Sequence, residues 1–162
     1  TMNGKDGKPF KTRNGGVMRL ENLIDEVNKK VYEKMDDSKE MNENEKAEIS
    51  KIVGLAALKY ADLSNQISKD YIFDIDKFTS LEGKTGPYIL YTLVRIKSIL
   101  NKFYENNTLK ENKILNPEED IEKQLLLKIS KYNQILEESY IENAPSKICT
   151  YLYELANIFN SF

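Results

Sequence analysis

The sequence predicts a mainly α protein: a helical bundle preceded by a loop and connecting helices. Helix breakers are scarce, since 162 residues hold only seven Gly and four Pro. Four of those glycines, Gly4, Gly7, Gly15 and Gly16, crowd into the first sixteen residues and leave the rest of the chain free to run in long helices. Beyond them apolar residues recur at helical spacing, stretch after stretch. With 40% hydrophobic and 31% charged residues, the chain has the balance of a folded domain rather than a disordered one.

The glycine-rich start, with Pro9 inside it, reads as loop or hairpin. Leu20, Leu23, Ile24, Val27, Val31 and Met35 then make 21–36 an amphipathic helix, and the polar run 36–45 is a linker. A second helix is expected from near Asn44, as N-cap, to about Gln66. Its apolar face of Ile49, Ile52, Val53, Ala56, Ala57, Tyr60, Ala61 and Leu63 marks it as the most buried element. Ile72, Phe73 and Ile75 form a short β-prone patch. The turn 82–87 delivers Pro87 to the first position of a third helix, whose rows are marked by Tyr88, Tyr91, Thr92, Arg95, Ile99 and Phe103. Asn116-Pro117-Glu118-Glu119 reads as a helix start with Asn as N-cap, Pro at N1 and carboxylates where the helix dipole favours them. Ile121, Leu125, Leu126 and Ile129 follow on its apolar face. A further helix covers about 132–142, and Pro145 opens a last one that buries Ile148, Leu152, Leu155, Ala156 and Phe159 and reaches Phe162 without a stop signal.

Composition excludes several chemistries. There is no His, no Trp and one cysteine, Cys149, so a Ser–His–Asp or Cys–His centre, a His-ligated metal site and a disulfide framework are ruled out. Cys149 falls on the buried side of a helix and is expected to be an inert core thiol. No run approaches the roughly 20 apolar residues that span a bilayer, and the start carries no signal pattern, so the expected compartment is the cytosol.

A net charge of -2 and a pI near 5.4 argue against gripping nucleic acid by bulk electrostatics. Charge is nonetheless blocked along the chain: residues 1–20 carry +4, 21–50 carry -5, 51–86 balance, 87–113 return to +3 and 114–162 fall to -4. The acidic blocks read as solvated helix faces.

Two stretches have the make-up of a site. In 7–16, Gly-Lys-Pro-Phe-Lys-Thr-Arg-Asn-Gly-Gly, cations and backbone N–H groups can wrap a polyphosphate and glycines permit close approach. The P-loop spacing is absent, and composition alone favours a disordered, solvated terminus over a phosphate site. On the third helix Tyr88, Tyr91 and Arg95 lie at i, i+3 and i+7 and share one face. Two rings beside a guanidinium offer a platform for unpaired bases, or else form a core-edge stripe with a snorkelling arginine.

Three further segments narrow the reading when set beside these: Ala57-Leu58-Lys59-Tyr60-Ala61-Asp62-Leu63, Phe73-Asp74 through Glu82-Gly83-Lys84-Thr85-Gly86-Pro87, and Ile148-Cys149-Thr150-Tyr151-Leu152-Tyr153-Glu154-Leu155-Ala156-Asn157. Together and in this order the motifs closely resemble the arginyl-tRNA synthetases, over nearly all of the chain. The resemblance implies that residues 1–85 are the end of the catalytic region, with a loop corresponding to the class I KMSKS signature, and connecting helices. It implies that 86–162 are the helical anticodon-binding domain of that class, short of its C-terminal portion. Lys11 and Arg13 are then the catalytic cations, and Lys8, Lys11, Thr12 and Arg13 bind ATP. The loop departs from the full signature, since Pro9-Phe10-Lys11-Thr12-Arg13 occupies those places and the first lysine is missing. Tyr88, Tyr91 and Arg95 would bind tRNA, and no residue is a metal ligand.

The implied parent joins arginine to tRNA(Arg) through an arginyl-adenylate, using ATP and Mg²⁺. It is expected to be cytoplasmic and monomeric, without membrane contact. The fragment alone is expected to bind no cofactor and to be inactive, because the family's histidine-bearing nucleotide-binding motif is nowhere in the chain. The competing reading is a stand-alone helical module that binds tRNA or a protein without catalysis.

Overall fold

The computed structural model describes residues 2–4, 7–9, 19–35, 41–107 and 116–162. The elements run β1 (Met2–Asn3), α1 (Leu20–Lys34), α2 (Glu43–Leu63), β2 (Tyr71–Ile72), α3 (Ile75–Phe78), α4 (Gly86–Asn106), α5 (Asp120–Ser130), α6 (Tyr132–Ile141) and α7 (Pro145–Ser161). The mainly α expectation holds. The chain forms two compact units, 1–90 and 91–162, and α4 begins in the first and continues into the second.

In the first unit α1 packs along α2. Leu23 and Val27 of α1 meet Ala57, Leu58 and Ala61 of α2 in a core that Phe73 closes from the loop after β2. Phe73 stacks on Phe78 with ring centroids 5.2 Å apart. Of the expected apolar face of α2, Ala57, Tyr60 and Ala61 are buried, but Ile49, Ile52 and Leu63 are exposed, and Ser50 and Gly54 are buried in their stead. Small residues win this face because they let two helices approach closely. A Cβ on Gly54 would stand 2.1 Å from Asn28 Oδ1 of α1, and that oxygen is buried with no hydrogen-bond partner among the described residues.

Helix ends follow side-chain chemistry more closely than composition suggests. Asn42, not Asn44, caps α2: its Oδ1 accepts from Glu45 N at 2.9 Å and Glu45 Oε2 accepts from Asn42 N at 3.1 Å. The same helix stops at Leu63, where Ser64 N donates to Tyr60 O at 2.9 Å, short of the expected Gln66. Asp74 Oδ1 accepts from Asp76 N at 3.1 Å and so starts the short α3, which takes Ile75 out of the β-prone patch. Of the patch only Ile72 is in a strand: β2 pairs in parallel with β1, Met2 opposite Tyr71 and Asn3 opposite Ile72. Near the start, an antiparallel bridge links Asn3 to Pro9, and Gly4 N donates to Lys8 O at 2.8 Å, in keeping with the hairpin expectation.

At the entry to α4, Thr85 Oγ1 donates to Ser80 O at 2.7 Å and accepts from Tyr88 N at 3.2 Å, pinning the first turn. Gly86 and Pro87 are both buried there, and α4 opens at Gly86 with Pro87 one residue in, close to its expected place. A Cβ at Gly86 would meet the carbonyl oxygen of Ala56 at 2.1 Å, so only glycine lets this turn sit on the backbone of α2.

In the second unit α5 and α6 pack on α7. Pro145 opens α7, and Cys149 and Ala156 are buried, as expected, but Ile148, Leu152, Leu155 and Phe159 are only half-buried and Tyr151 is buried in addition. The reason is that Tyr151 crosses to α5: its hydroxyl donates to Lys128 O at 3.0 Å, and Lys128 Nζ sits 5.3 Å above its ring and pairs with Glu154. α5 begins at Asp120, three residues after Pro117. Glu122 Oε2 accepts from the backbone N–H groups of Glu118 and Glu119 at 2.6 and 3.1 Å, which satisfies the donors that the Asn116-Pro117 start was expected to serve. Along α4, Leu93, Val94, Ile99, Leu100, Phe103 and Tyr104 are all exposed.

Candidate nucleic-acid interface

Of the loop candidates, Lys8 is exposed in the turn after β1, while Lys11, Thr12 and Arg13 lie outside the described residues. Among the described residues no group of three or more His, Cys, Asp or Glu side chains is placed to hold a metal ion. The charged groove lined by Glu26, Lys29, Lys30, Glu33, Ile75 and Asp76 is largely self-satisfied. Lys30 pairs with Asp76 at 2.9 Å, which raises the lysine above its ordinary range, and Lys29 approaches Glu33 at 4.0 Å.

The three tRNA-binding candidates all fall on α4. Tyr88 is half-buried in its first turn, in the first unit, with its backbone N–H held by Thr85. Tyr91 and Arg95 stand one turn apart in the second unit. Tyr91 is 50% exposed, so an aromatic face is available to a stacking partner, and Arg95 is exposed as well. The guanidinium of Arg95 has a polar contact on a second helix: Nη1 donates to Asn160 Oδ1 of α7 at 3.1 Å. Asn160 Nδ2 in turn donates to Thr92 Oγ1 at 2.9 Å, and Thr92 is buried. Sequence reasoning marked Thr92 only as a row residue and passed over Asn160, which lies 65 positions from Arg95. A polar Thr three residues before an Arg on an otherwise apolar stripe was the one available signal.

Two family models match the chain. Residues 1–75 match tRNA synthetases class I (R), catalytic domain, and residues 89–162 match the DALR anticodon binding domain. An arginine–tRNA ligase from Alkaliphilus oremlandii is 57% identical over 162 residues, which cover all of this chain and 28% of that protein. One from Agathobacter rectalis is 53% identical, again over all of this chain and 29% of the relative. Among solved structures, the arginyl-tRNA synthetase of Plasmodium falciparum aligns over 93% of this chain and 29% of its own at a TM-score of 0.75 and 27% identity. That of Thermus thermophilus aligns over 99% of this chain and 26% of its own at 0.78, with 20% identity, which speaks for the fold alone. The chain belongs to the arginyl-tRNA synthetase family, and it spans under a third of the length of these relatives.

Proposed function

We propose that the chain is the part of a cytoplasmic arginine–tRNA ligase that handles the nucleotide's phosphates at one end and the anticodon loop at the other. In the full-length enzyme, the carboxylate of arginine attacks the α-phosphate of ATP, pyrophosphate leaves, and a tRNA hydroxyl then takes the arginyl group with loss of AMP. Lys11 and Arg13, with Lys8 and Thr12, suit the first step, since two lysines, a hydroxyl and a guanidinium are the donor set for charge growing on pyrophosphate. Mg²⁺ would be held mainly through the nucleotide's own phosphates. The chain alone lacks the arginine pocket and is inactive in this reading.

Tyr88, Tyr91 and Arg95 receive anticodon-loop bases of tRNA(Arg): rings stack on bases and the guanidinium takes acceptors on a base edge or phosphate. The observation that carries the reading is the pair Tyr91 and Arg95, exposed on one helix with the arginine anchored from α7. The test is a separation of steps in the full-length enzyme. Tyr91→Ala is expected to weaken tRNA charging far more than ATP–pyrophosphate exchange, and equal kinetics for mutant and parent would remove the anticodon role. A stand-alone module is the outcome if the gene opens at Met2 with no synthetase sequence upstream.

A further inference from the structure

We infer that Asn160 is a positioning residue that fixes the guanidinium of Arg95 for its RNA acceptor, an inference that rests on the tRNA-binding reading of Arg95. An arginine on a helix surface ordinarily samples many rotamers, and ordering it on binding costs side-chain entropy. Here one end of the Asn160 amide accepts from Arg95 Nη1 at 3.1 Å and the other donates to Thr92 Oγ1 at 2.9 Å. Thr92 is buried, so the amide hangs on a fixed point and cannot flip without losing both bonds.

The chain of contacts Thr92, Asn160, Arg95 returns to α4 after crossing to α7, which sets the direction of the guanidinium from two helices at once. One of its five N–H groups is used in this way, and the rest of the fork has no protein partner among the described residues. A neutral amide suits the task. A carboxylate at the same place would also hold the guanidinium, but it would cancel the charge that a base edge or phosphate needs.

The experiment measures tRNA(Arg) affinity of the full-length enzyme, with thermal unfolding followed by circular dichroism as the control for folding. Asn160→Ala is expected to weaken affinity about fivefold and Arg95→Ala about twentyfold, with the folded fraction unchanged. In the Arg95→Ala background, Asn160→Ala should add nothing, because there is no longer a guanidinium to position. Thr92→Val should reproduce part of the Asn160→Ala loss and Thr92→Ser should restore parental affinity. Asn160→Asp, which holds but neutralises, should weaken binding at least as much as Asn160→Ala. A phosphate acceptor would show as a reduced salt slope in Arg95→Ala across all tRNA variants, and a base edge as a loss confined to one loop nucleotide. If Arg95→Ala weakens binding and Asn160→Ala does not, or if Asn160→Ala costs the same with and without Arg95, the positioning role is overturned and the tRNA reading survives. If Arg95→Ala itself leaves affinity intact, both fall.

Discussion

Gly54 offers a quantitative check on how closely α1 and α2 are packed. Inside a helix, Gly→Ala ordinarily stabilises by about 1 kcal/mol. In this helix pair the new Cβ would stand 2.1 Å from Asn28 Oδ1 and 3.3 Å from Asn28 Cα. The first distance is far inside the roughly 3.5 Å of an ordinary contact, so the Asn28 amide must swing out of its buried place, at an overpacking cost of about 1–3 kcal/mol. Taking a cost near the middle, Gly54→Ala should destabilise by about 1 kcal/mol. Asn28→Ala alone removes a buried oxygen that has no donor, gains helix propensity and loses some packing, for a net change near zero. The double mutant keeps the propensity gains without the clash and should be about 1 kcal/mol more stable than the parent, a coupling of about 2 kcal/mol. Urea unfolding followed by circular dichroism measures all four corners of the cycle. A Gly54→Ala that stabilises on its own, or two changes that simply add, would refute the close approach of the two helices.

Other outcomes follow from the same structure. Burial holds the Cys149 thiol above its ordinary range, so alkylation should proceed only as fast as the second unit opens, and a native-state rate like that of free cysteine would contradict the packing of α7. The Tyr71 phenol is held well above the usual tyrosine range by burial and by its 2.8 Å bond to Asp62. As pH rises through about 10 the unfolded chain therefore loses a proton that the folded one keeps, and stability falls. Tyr71→Phe should flatten that alkaline decline in a stability-against-pH series, and an unchanged slope would count against it. Replacing Lys11 and Arg13 together by Ala in the full-length enzyme should slow ATP–pyrophosphate exchange by about a hundredfold or more while anticodon-loop affinity stays within about twofold. An unaffected exchange rate would remove the phosphate role.

Much of the fold was legible because helices announce themselves locally. The 3.6-residue recurrence from Leu20 to Met35 and the Pro at position 145 located α1 and α7 to within about two residues. Cap choice was less legible: Asn42 and Asn44 are both good caps, and only the reach of Glu45 back to Asn42 decides between them. Glu122 plays the same part for α5 and moves its start past Pro117.

Burial was harder to read, because an apolar residue marks a candidate face but close packing selects small ones. That is why Ser50, Gly54, Ala57 and Ala61 lie inside while Ile52 is outside. Contacts distant in sequence left no trace: β1 finding β2, Tyr151 finding Lys128, and Asn160 finding Arg95 depend on how helices cross, which periodicity does not encode. The candidate site divides in the same way. Spacing alone put Tyr88, Tyr91 and Arg95 on one helix, but the anchor that directs Arg95 became visible only in three dimensions.

The most direct measurement is a binding titration of the full-length enzyme and its Tyr91→Ala variant with tRNA(Arg) and a non-cognate tRNA, each at two salt concentrations. The stacking and base-edge contacts proposed for α4 predict that the parent prefers the cognate tRNA at both salts. The variant should lose about tenfold in cognate affinity and most of the preference, while its weak non-cognate binding and the salt dependence stay nearly the same. A variant that binds the cognate tRNA as tightly as the parent, with the preference intact, would contradict the account.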